Sequence, residues 1–157
     1  MKKIVMLVGN VGSGKSTLAK KLVKQEYVVI SRDALRYGFG VGGYIFNKNY
    51  EGIVSKTVYF MFKEFLSLGV SLVIDETNMT KSIRKRYITK AKKNNYKIVV
   101  VILPKLTKEV ALDRRMKNPH TINDREYWAQ VWQMFNDMYE EPSFVEGFNH
   151  IINIAEK

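Results

Sequence analysis

The sequence predicts an α/β fold in which helices cover both faces of a central parallel sheet of four to five strands. Short apolar runs alternate along the chain with segments of helical periodicity. A glycine-rich loop at 9–16 follows the first apolar run directly. The length of 157 residues suits one domain with one core, so we expect 1–157 to form a single domain.

The predicted strands are apolar runs bounded by polar or glycine residues. They are expected at 3–8, 27–31, 71–74, 97–103 and, for a fifth strand, 150–154. The run at 97–103 is almost continuously apolar, which is typical of a strand covered on both faces. Because helices separate the strands, the connections should be right-handed crossovers that make the sheet parallel.

The predicted helices are expected at 15–24, 33–37, 50–68, 81–93, 107–117 and 124–139. Gly69 is a suitable C-terminal cap for the third helix, and Thr80 is a suitable N-cap for the fourth. The helix that begins at Thr107 should end before Pro119, because the residue before a proline resists helical angles. The segment 38–43 is too rich in glycine for either regular element.

The composition excludes several classes of site. The chain has no cysteine, so it forms neither a disulfide nor a thiolate metal site. No apolar run reaches transmembrane length, and we expect a cytoplasmic protein with no membrane partner. The net charge of +11 favours a polyanionic partner, although lysine-rich composition and solvated helix faces explain such an excess equally well.

The loop at 9–16, Gly-Asn-Val-Gly-Ser-Gly-Lys-Ser, matches the phosphate-binding pattern Gly-x-x-x-x-Gly-Lys-Ser between a strand and a helix. Its glycines allow successive backbone N–H groups to point into one concavity, beside the positive end of the following helix. Lys15 would reach the β- and γ-phosphates, and the Ser16 hydroxyl would bind Mg²⁺. We therefore expect ATP and Mg²⁺ as ligands. The expected nucleotide-binding residues are Gly9, Asn10, Val11, Gly12, Ser13, Gly14, Lys15, Ser16 and Thr17.

Ligands of open parallel sheets bind beyond the carboxyl ends of the strands. This rule brings the phosphate-binding loop together with two other segments, 31–33 after the second strand and 75–78 after the third. Asp33 and Arg36 lie three residues apart on one face of a helical turn. The carboxylate is a candidate general base for an attacking hydroxyl, and the guanidinium is a candidate binder of an anionic acceptor. Alternatively, Asp33 caps the short helix and pairs with Arg36 structurally.

Asp75 and Glu76 follow an apolar strand, as in a Walker B sequence. An aspartate at this place contacts Mg²⁺ through a bound water, which is the role expected of Asp75, and a glutamate polarises an attacking water. The residues themselves do not decide between the two carboxylates. Either one also fits a structural role, as a cap of the next helix or as a partner that orders Arg36.

A cationic helix lies within the segment 107–122, which we expect to act as a lid. The candidates are Arg114, as a catalytic cation, Arg115, on the nucleotide, and Lys117 as a further cation on the same helix. A cation supplied to the transferring phosphoryl group raises the rate by about a thousandfold or more. Aromatic residues near the glycine-rich segment would either stack on an acceptor base or pack beneath the loop. They are Tyr44, Phe46 and Tyr50.

These motifs resemble the 5′-kinase module of polynucleotide kinases. The resemblance comes from the phosphate-binding loop, the box Ser31-Arg32-Asp33-x-x-Arg36, and the segment Val73-Ile-Asp-Glu-Thr-Asn78, and it continues into 139–148. It implies an adenylate-kinase-like core that transfers the γ-phosphate of ATP to the 5′-hydroxyl end of DNA or RNA. It also implies that Asp33 is the general base, that Arg36 binds the acceptor's 3′-side phosphate, and that Arg114 or Arg115 contacts the donor phosphates.

The chain departs from this family in two respects. The lid of the family often carries a second arginine four residues after the first, where this chain has Asn118 if Arg114 is the first. Members of the group are often fused to a 3′-phosphatase, and the sequence contains no Asp-x-Asp-x-Thr/Val motif, so we expect kinase activity only.

Two other functions share the same nucleotide site. A P-loop kinase of a small-molecule hydroxyl would use every donor-side residue and differ only at the acceptor. An NTP-driven switch or motor would use Asp75 and Glu76 to hydrolyse ATP without an alcohol. Salt dependence separates the first alternative from a nucleic-acid kinase, and acceptor-free hydrolysis separates the second.

Overall fold

The computed structural model describes residues 2–118 and 123–155 and contains one five-stranded sheet of order β2-β3-β1-β4-β5. Every pair of neighbouring strands is parallel, as predicted. The strands are β1 Lys3–Val8, β2 Val28–Ile30, β3 Leu72–Ile74, β4 Lys97–Ile102 and β5 His150–Asn153. In the register of the sheet, Ile4 of β1 lies between Leu72 of β3 and Ile98 of β4.

Six α-helices lie within the described residues. They are α1 Lys15–Val23, α2 Arg32–Phe39, α3 Glu51–Leu68, α4 Lys81–Lys93, α5 Lys108–Met116 and α6 Arg125–Asp137. Side-chain oxygens of Ser31, Thr80, Thr107 and Asp124 cap four of these helices at their N-termini. Gly69, with a φ of 76°, ends α3. Across 2–118 and 123–155, no helix is both long and apolar enough to span a membrane.

Helix α2 is longer than the short turn that the sequence predicted. It continues through Gly38 and Phe39, which we expected to be irregular. A glycine inside a helix costs about 1 kcal/mol. The cap at Ser31 and the packing of Leu35 against the core offset this cost. The rest of the glycine-rich segment forms an isolated bridge between Gly40 and Gly43.

The two faces of the sheet carry separate apolar clusters. Helices α3 and α4 cover one face, where Phe62 and Ile88 pack against Ile98 and Val100. Helix α1 covers the other face, where Ala19 packs with neighbouring strand residues such as Val101. Successive residues of β4 pack into the two clusters in turn, Val100 into one and Val101 into the other, which explains its almost unbroken apolar sequence.

A buried polar network holds the turn between β3 and α4. The Arg84 guanidinium is fully buried and donates to both carboxylate oxygens of Glu146, at 2.7 and 2.8 Å. It also donates to the carbonyl oxygens of Asn78 and Glu140. The Asn78 amide donates to the Leu7 carbonyl oxygen at 2.7 Å. The segment that carries Asp75 and Glu76 is therefore fixed to the end of β1.

Candidate active site

The carboxyl ends of β1, β2 and β3 border a cavity of about 910 Å³. Most of the predicted site residues line it together, as the strand-end rule leads one to expect. These lining residues are Val11, Gly12, Ser13, Gly14, Lys15, Ser16, Thr17, Asp33, Arg36, Asp75, Arg114 and Arg115. Gly9 and Asn10, which were also predicted, are not among the residues that line the cavity.

Two glycines determine the path of the phosphate-binding loop. Gly12 has a φ of 73°, and a Cβ there would lie 2.5 Å from the carbonyl oxygen of Ala111 in α5. Gly14 has a φ of 96° and occupies the N-cap position of α1. Both backbone conformations are ones that L side chains rarely adopt. The loop thus contacts α5 closely and ends at the helix N-terminus that favours anions.

Gly9 and Asn10 fasten the loop to its neighbours. The Gly9 N–H donates to the Thr77 carbonyl oxygen at 3.2 Å. The Asn10 amide nitrogen donates to the Trp132 carbonyl oxygen in α6 at 2.9 Å, and its oxygen accepts from the Val11 N–H at 2.6 Å. The loop is therefore tied both to the end of β3 and to α6.

Lys15 places a half-buried cation in the cavity. Its Nζ donates to the Asn10 carbonyl oxygen at 2.8 Å. Burial lowers the pKa of Lys15 to about 8, an effect that the nearby carboxylates of Asp75 and Asp33 oppose. A desolvated ammonium group next to a helix N-terminus is suited to bind phosphate oxygens.

Ser16 and Asp75, the residues predicted to hold Mg²⁺, both line the cavity. The Ser16 hydroxyl lies near enough to the Asp75 carboxylate to act on its pKa, so the two groups are neighbours. Burial raises the pKa of Asp75, while the Ser16 hydroxyl and the charge of Lys15 act against that rise. Mg²⁺ prefers such hard oxygen donors and usually takes only one or two from protein, so this pair fits the ion.

Glu76 has a different environment from Asp75. Its carboxylate accepts from Arg32 Nε at 3.0 Å and from the Tyr87 hydroxyl at 3.3 Å. Burial raises the pKa of Glu76, and the charge of Arg32 opposes that rise. The side chain of Thr80, not either carboxylate, caps α4. Of the two carboxylates that the sequence left undecided, Asp75 thus lies at the loop and Glu76 lies in an ion pair.

Asp33 and Arg36 meet on α2 and line the same cavity as Lys15. Arg36 Nη1 donates to Asp33 Oδ1 at 2.6 Å, and the Tyr44 hydroxyl donates to the same oxygen at 3.0 Å. The guanidinium also forms a two-point ion pair with Glu51 at the start of α3. Ser31 caps α2, so Asp33 is not its cap.

The predicted lid arginines differ in their surroundings. The Arg115 guanidinium lies 3.8 Å from the ring centroid of Trp128, which is buried on α6. Arg114 is exposed and lines the cavity. Both arginines therefore border the site that the phosphate-binding loop forms. The end of the predicted lid, 119–122, lies outside the described residues.

The aromatic residues near the glycine-rich segment also differ in their surroundings. Tyr44 is buried and engaged through its hydroxyl, whereas Phe46 and Tyr50 are 41% and 49% exposed. The Phe46 ring centroid lies 5.3 Å from the Arg36 guanidinium. Tyr44 is thus part of the Asp33 environment, and Phe46 is an exposed aromatic side chain in the lining of the cavity.

Sequence reasoning missed Glu51 as the partner of Arg36 and Trp128 as the aromatic ring beneath Arg115. Glu51 lies fifteen residues from Arg36, beyond the glycine-rich segment, so no local spacing signals the pair. Trp128 is buried on α6, and it lines the cavity beneath Arg115. An aromatic position on an amphipathic helix looks the same in sequence whether it faces a core or a cleft.

A protein of Acanthamoeba polyphaga mimivirus, named as a bifunctional polynucleotide phosphatase/kinase, is 28% identical over 159 residues. The alignment covers 98% of this chain and 33% of that protein, so the chain spans about a third of its length.

Two solved structures share the fold. A protein of Chloroflexus aurantiacus described as a kinase has a TM-score of 0.69 at 15% identity, over 98% of this chain and 88% of that one. A fungal RNA kinase has a TM-score of 0.62 at 17% identity, over 99% and 75%. The family model described as an AAA domain matches residues 4–142. The chain therefore belongs to this AAA domain family and has the fold of P-loop kinases.

Proposed function

We propose that the chain is an ATP-dependent polynucleotide kinase, which transfers the γ-phosphate to the 5′-hydroxyl end of DNA or RNA. One observation carries the proposal: Asp33 and Arg36 line the same cavity as Lys15 and Ser16. A carboxylate base and an anion-binding guanidinium thus share one space with the phosphate-binding loop. The mimivirus relative's name points to the same acceptor class.

Asp33 is suited to the role of general base. Both of its hydrogen bonds to described residues fall on Oδ1, from Arg36 and from Tyr44. Its side chain is 54% exposed, which leaves Oδ2 accessible to an acceptor hydroxyl. In the reaction, the hydroxyl proton passes to Asp33 and the oxygen bonds to the γ-phosphorus. The bond from that phosphorus to the β–γ bridging oxygen breaks, and ADP leaves.

The remaining residues stabilise the charge on the phosphoryl group. Phosphoryl transfer proceeds through a loose state with charge spread over several oxygens, so cations placed around them lower the barrier. Lys15 supplies one cation from the loop, and Arg114 and Arg115 supply others from the lid side. Ser16 and Asp75 would hold Mg²⁺, which neutralises phosphate charge when bound.

Arg36 would bind the phosphate on the 3′ side of the acceptor nucleoside. Its guanidinium is already paired with Glu51 and Asp33, so an incoming phosphate must displace or share a carboxylate. A guanidinium has five N–H donors, which allows it to keep one carboxylate while it binds a phosphate.

The same ion pair favours a second candidate, a kinase of a small neutral hydroxyl compound. If Glu51 keeps Arg36 fully engaged, the acceptor side would have no spare cation in this place. Such an enzyme would use Asp33 as base but would not require a phosphate on the acceptor.

The test uses γ-labelled ATP, Mg²⁺ and oligonucleotides with 5′-hydroxyl or 5′-phosphate ends, alongside free nucleosides and sugars. The proposal expects label only on 5′-hydroxyl ends of DNA or RNA, with a rate that falls as salt rises. Labelling of small hydroxyl compounds alone would contradict it in favour of the second candidate. Rapid release of inorganic phosphate without any acceptor would favour an ATPase switch.

A further inference from the structure

A second cavity, of about 440 Å³, lies between α3 and α4 on the face of the sheet that these helices cover. Hydroxyl, aromatic and cationic side chains line it. They are Tyr59 from α3 and Ser82, Lys85, Arg86, Thr89, Lys90 and Lys93 from α4. We call it the basic groove. None of the described residues that line it carries a carboxylate.

The charge pattern of α4 is not that of an ordinary solvated helix. Its thirteen residues include no acid. Like charges stand four residues apart at Lys81 and Lys85 and again at Arg86 and Lys90. Such pairs destabilise a helix, whereas a face that merely contacts water usually alternates lysine with glutamate. A bound polyanion would relieve this repulsion.

Arg86 is held in place within the basic groove. Its guanidinium lies 4.4 Å from the ring centroid of Tyr59 and 5.3 Å from that of Tyr87. Two aromatic contacts restrict a side chain that would otherwise be mobile. Lys63 of α3 also lies 5.7 Å from the Tyr59 ring, on the other helix. The groove therefore contains one cation, Arg86, that aromatic contacts hold in position among several lysines.

The basic groove begins beside the active site. Ser82 lines the groove, and its neighbour Ile83 lines the active-site cavity. From Ser82 to Lys93 the helix extends for about 16 Å away from the cavity, at 1.5 Å per residue. Arg86 is connected to the site through its neighbour Tyr87, whose hydroxyl donates to Glu76. A chain that leaves the active site can thus follow α4.

We propose that the basic groove binds the phosphodiester backbone of a single-stranded nucleic acid whose 5′ end lies in the active-site cavity. The inference rests on the proposed polynucleotide kinase function and adds the path of the acceptor strand to it. Lysine and arginine side chains along one groove bind successive phosphates irrespective of sequence.

The test compares two variants with the same loss of charge. The first, Lys85→Gln/Lys90→Gln/Lys93→Gln, removes three cations from the groove. The control, Lys20→Gln/Lys24→Gln/Lys97→Gln, removes three exposed lysines that line neither cavity. Binding of a 3′-fluorescein-labelled, single-stranded 5′-hydroxyl oligonucleotide of about 20 nucleotides is followed by anisotropy over a range of salt concentrations.

We expect the groove variant to bind this oligonucleotide about tenfold or more weakly. The slope of the logarithm of the binding constant against the logarithm of the salt concentration should be shallower by about 2, because each lost phosphate contact contributes about 0.7. Its KM for the oligonucleotide should rise, while its KM for ATP and for a nucleoside 3′-phosphate should not. The control variant should resemble the wild type. Equal effects of the two variants, or no effect of the groove variant, would overturn the inference.

The experiments distinguish a failure of the proposed kinase function from a failure of the proposed groove. If the wild type binds the oligonucleotide through the groove but labels no 5′-hydroxyl end, the kinase function fails and the groove stands as a nucleic-acid site. If ends are labelled and the groove variant is unaffected, the groove fails and the kinase function stands. Binding of wild type, but not of the groove variant, to phosphatidylserine vesicles without any binding to the oligonucleotide would assign the groove to a membrane surface instead.

Discussion

At the scale of single residues, the proposed chemistry depends on how Asp33 is held. Arg36 and Tyr44 both donate to one of its oxygens, which fixes the carboxylate orientation before any acceptor binds. Burial and the neighbouring Asp33 charge raise the pKa of Tyr44, so its hydroxyl stays a donor at any physiological pH. A base that is already oriented loses little entropy in the reaction.

The first prediction concerns Asp33→Asn. The amide keeps an oxygen that accepts from Arg36 but cannot take a proton from the acceptor hydroxyl, so kcat should fall by about 10²–10⁴-fold. The Kd for ATP, measured by calorimetry, should stay within about twofold because the hydrogen bonds of Asp33 to described residues go to Arg36 and Tyr44, outside the phosphate-binding loop. Asp137→Asn, an exposed position on α6, serves as the control and should leave kcat unchanged. Near-full activity of the Asp33 variant would refute its role as base.

The second prediction concerns Arg36→Gln. If Arg36 binds the phosphate on the acceptor's 3′ side, its loss should raise KM for a nucleoside 3′-phosphate by about tenfold or more, the usual effect of a lost charge-assisted bidentate contact. KM for the same nucleoside without phosphate should not change. Steady-state kinetics with both acceptors measures the difference. A parallel rise for both would mean that Arg36 acts only by orienting Asp33.

The sequence predicts those site residues whose neighbours in space are also neighbours in the chain. The phosphate-binding loop and Asp33 with Arg36 belong to short local patterns at strand ends. Glu51 and Trp128 reach the site because separate helices pack beside α2 and α5, and no local pattern records that packing. The choice between Asp75 and Glu76 likewise depended on where Ser16 and Arg32 lie.

At the scale of elements, the contact between α4 and the segment after α6 stabilises the turn between β3 and α4, which borders the active site. Arg84 has no exposed side-chain surface, and Glu146 is 8% exposed. Truncating one partner would leave the other charge buried and unpaired, which is the expensive case for a buried ion pair.

The third prediction concerns Arg84→Met. We expect it to lower the free energy of unfolding by about 3–5 kcal/mol in urea titrations followed by circular dichroism. Glu146→Gln keeps an acceptor for the Ser143 N–H, so the double variant Arg84→Met/Glu146→Gln should cost less than the sum of the single changes. The exposed pair of Arg125 and Asp113 is the matched control, and breaking it should cost about 1 kcal/mol or less. Additive losses at Arg84 and Glu146 would show that the pair is not coupled.

The elements themselves were largely predictable because their signals are local. Apolar runs gave the strands, and the capping residues Thr80 and Thr107 and the glycine at 69 set helix ends within a residue or two. The extension of α2 was not predicted, because its glycine argued against a helix that the Ser31 cap and tertiary packing sustain. The strand order β2-β3-β1-β4-β5 also has no local signal, since it depends on which edge each crossover returns to.

At the scale of the whole molecule, helices α5 and α6 are joined to the phosphate-binding loop. Helix α5 touches the loop at Gly12, and α6 accepts a hydrogen bond from Asn10 through Trp132. Residues on both sides of the cavity thus share contacts with the phosphate-binding loop. We infer that the chain unfolds as one domain and that the lid does not unfold separately.

The last prediction tests this inference by urea unfolding. Both tryptophans of the chain, Trp128 and Trp132, lie in α6, so their fluorescence reports the lid side, whereas far-UV circular dichroism reports the whole chain. The two transitions should coincide. Saturating ATP and Mg²⁺, at about 100 times Kd, should stabilise both by about 2.7 kcal/mol. The variant Lys15→Ala should lose this shift because it lacks the cation that faces the phosphates. If the fluorescence transition came at lower urea than the dichroism transition, the lid would unfold on its own. The inference that the chain unfolds as one domain would then be wrong.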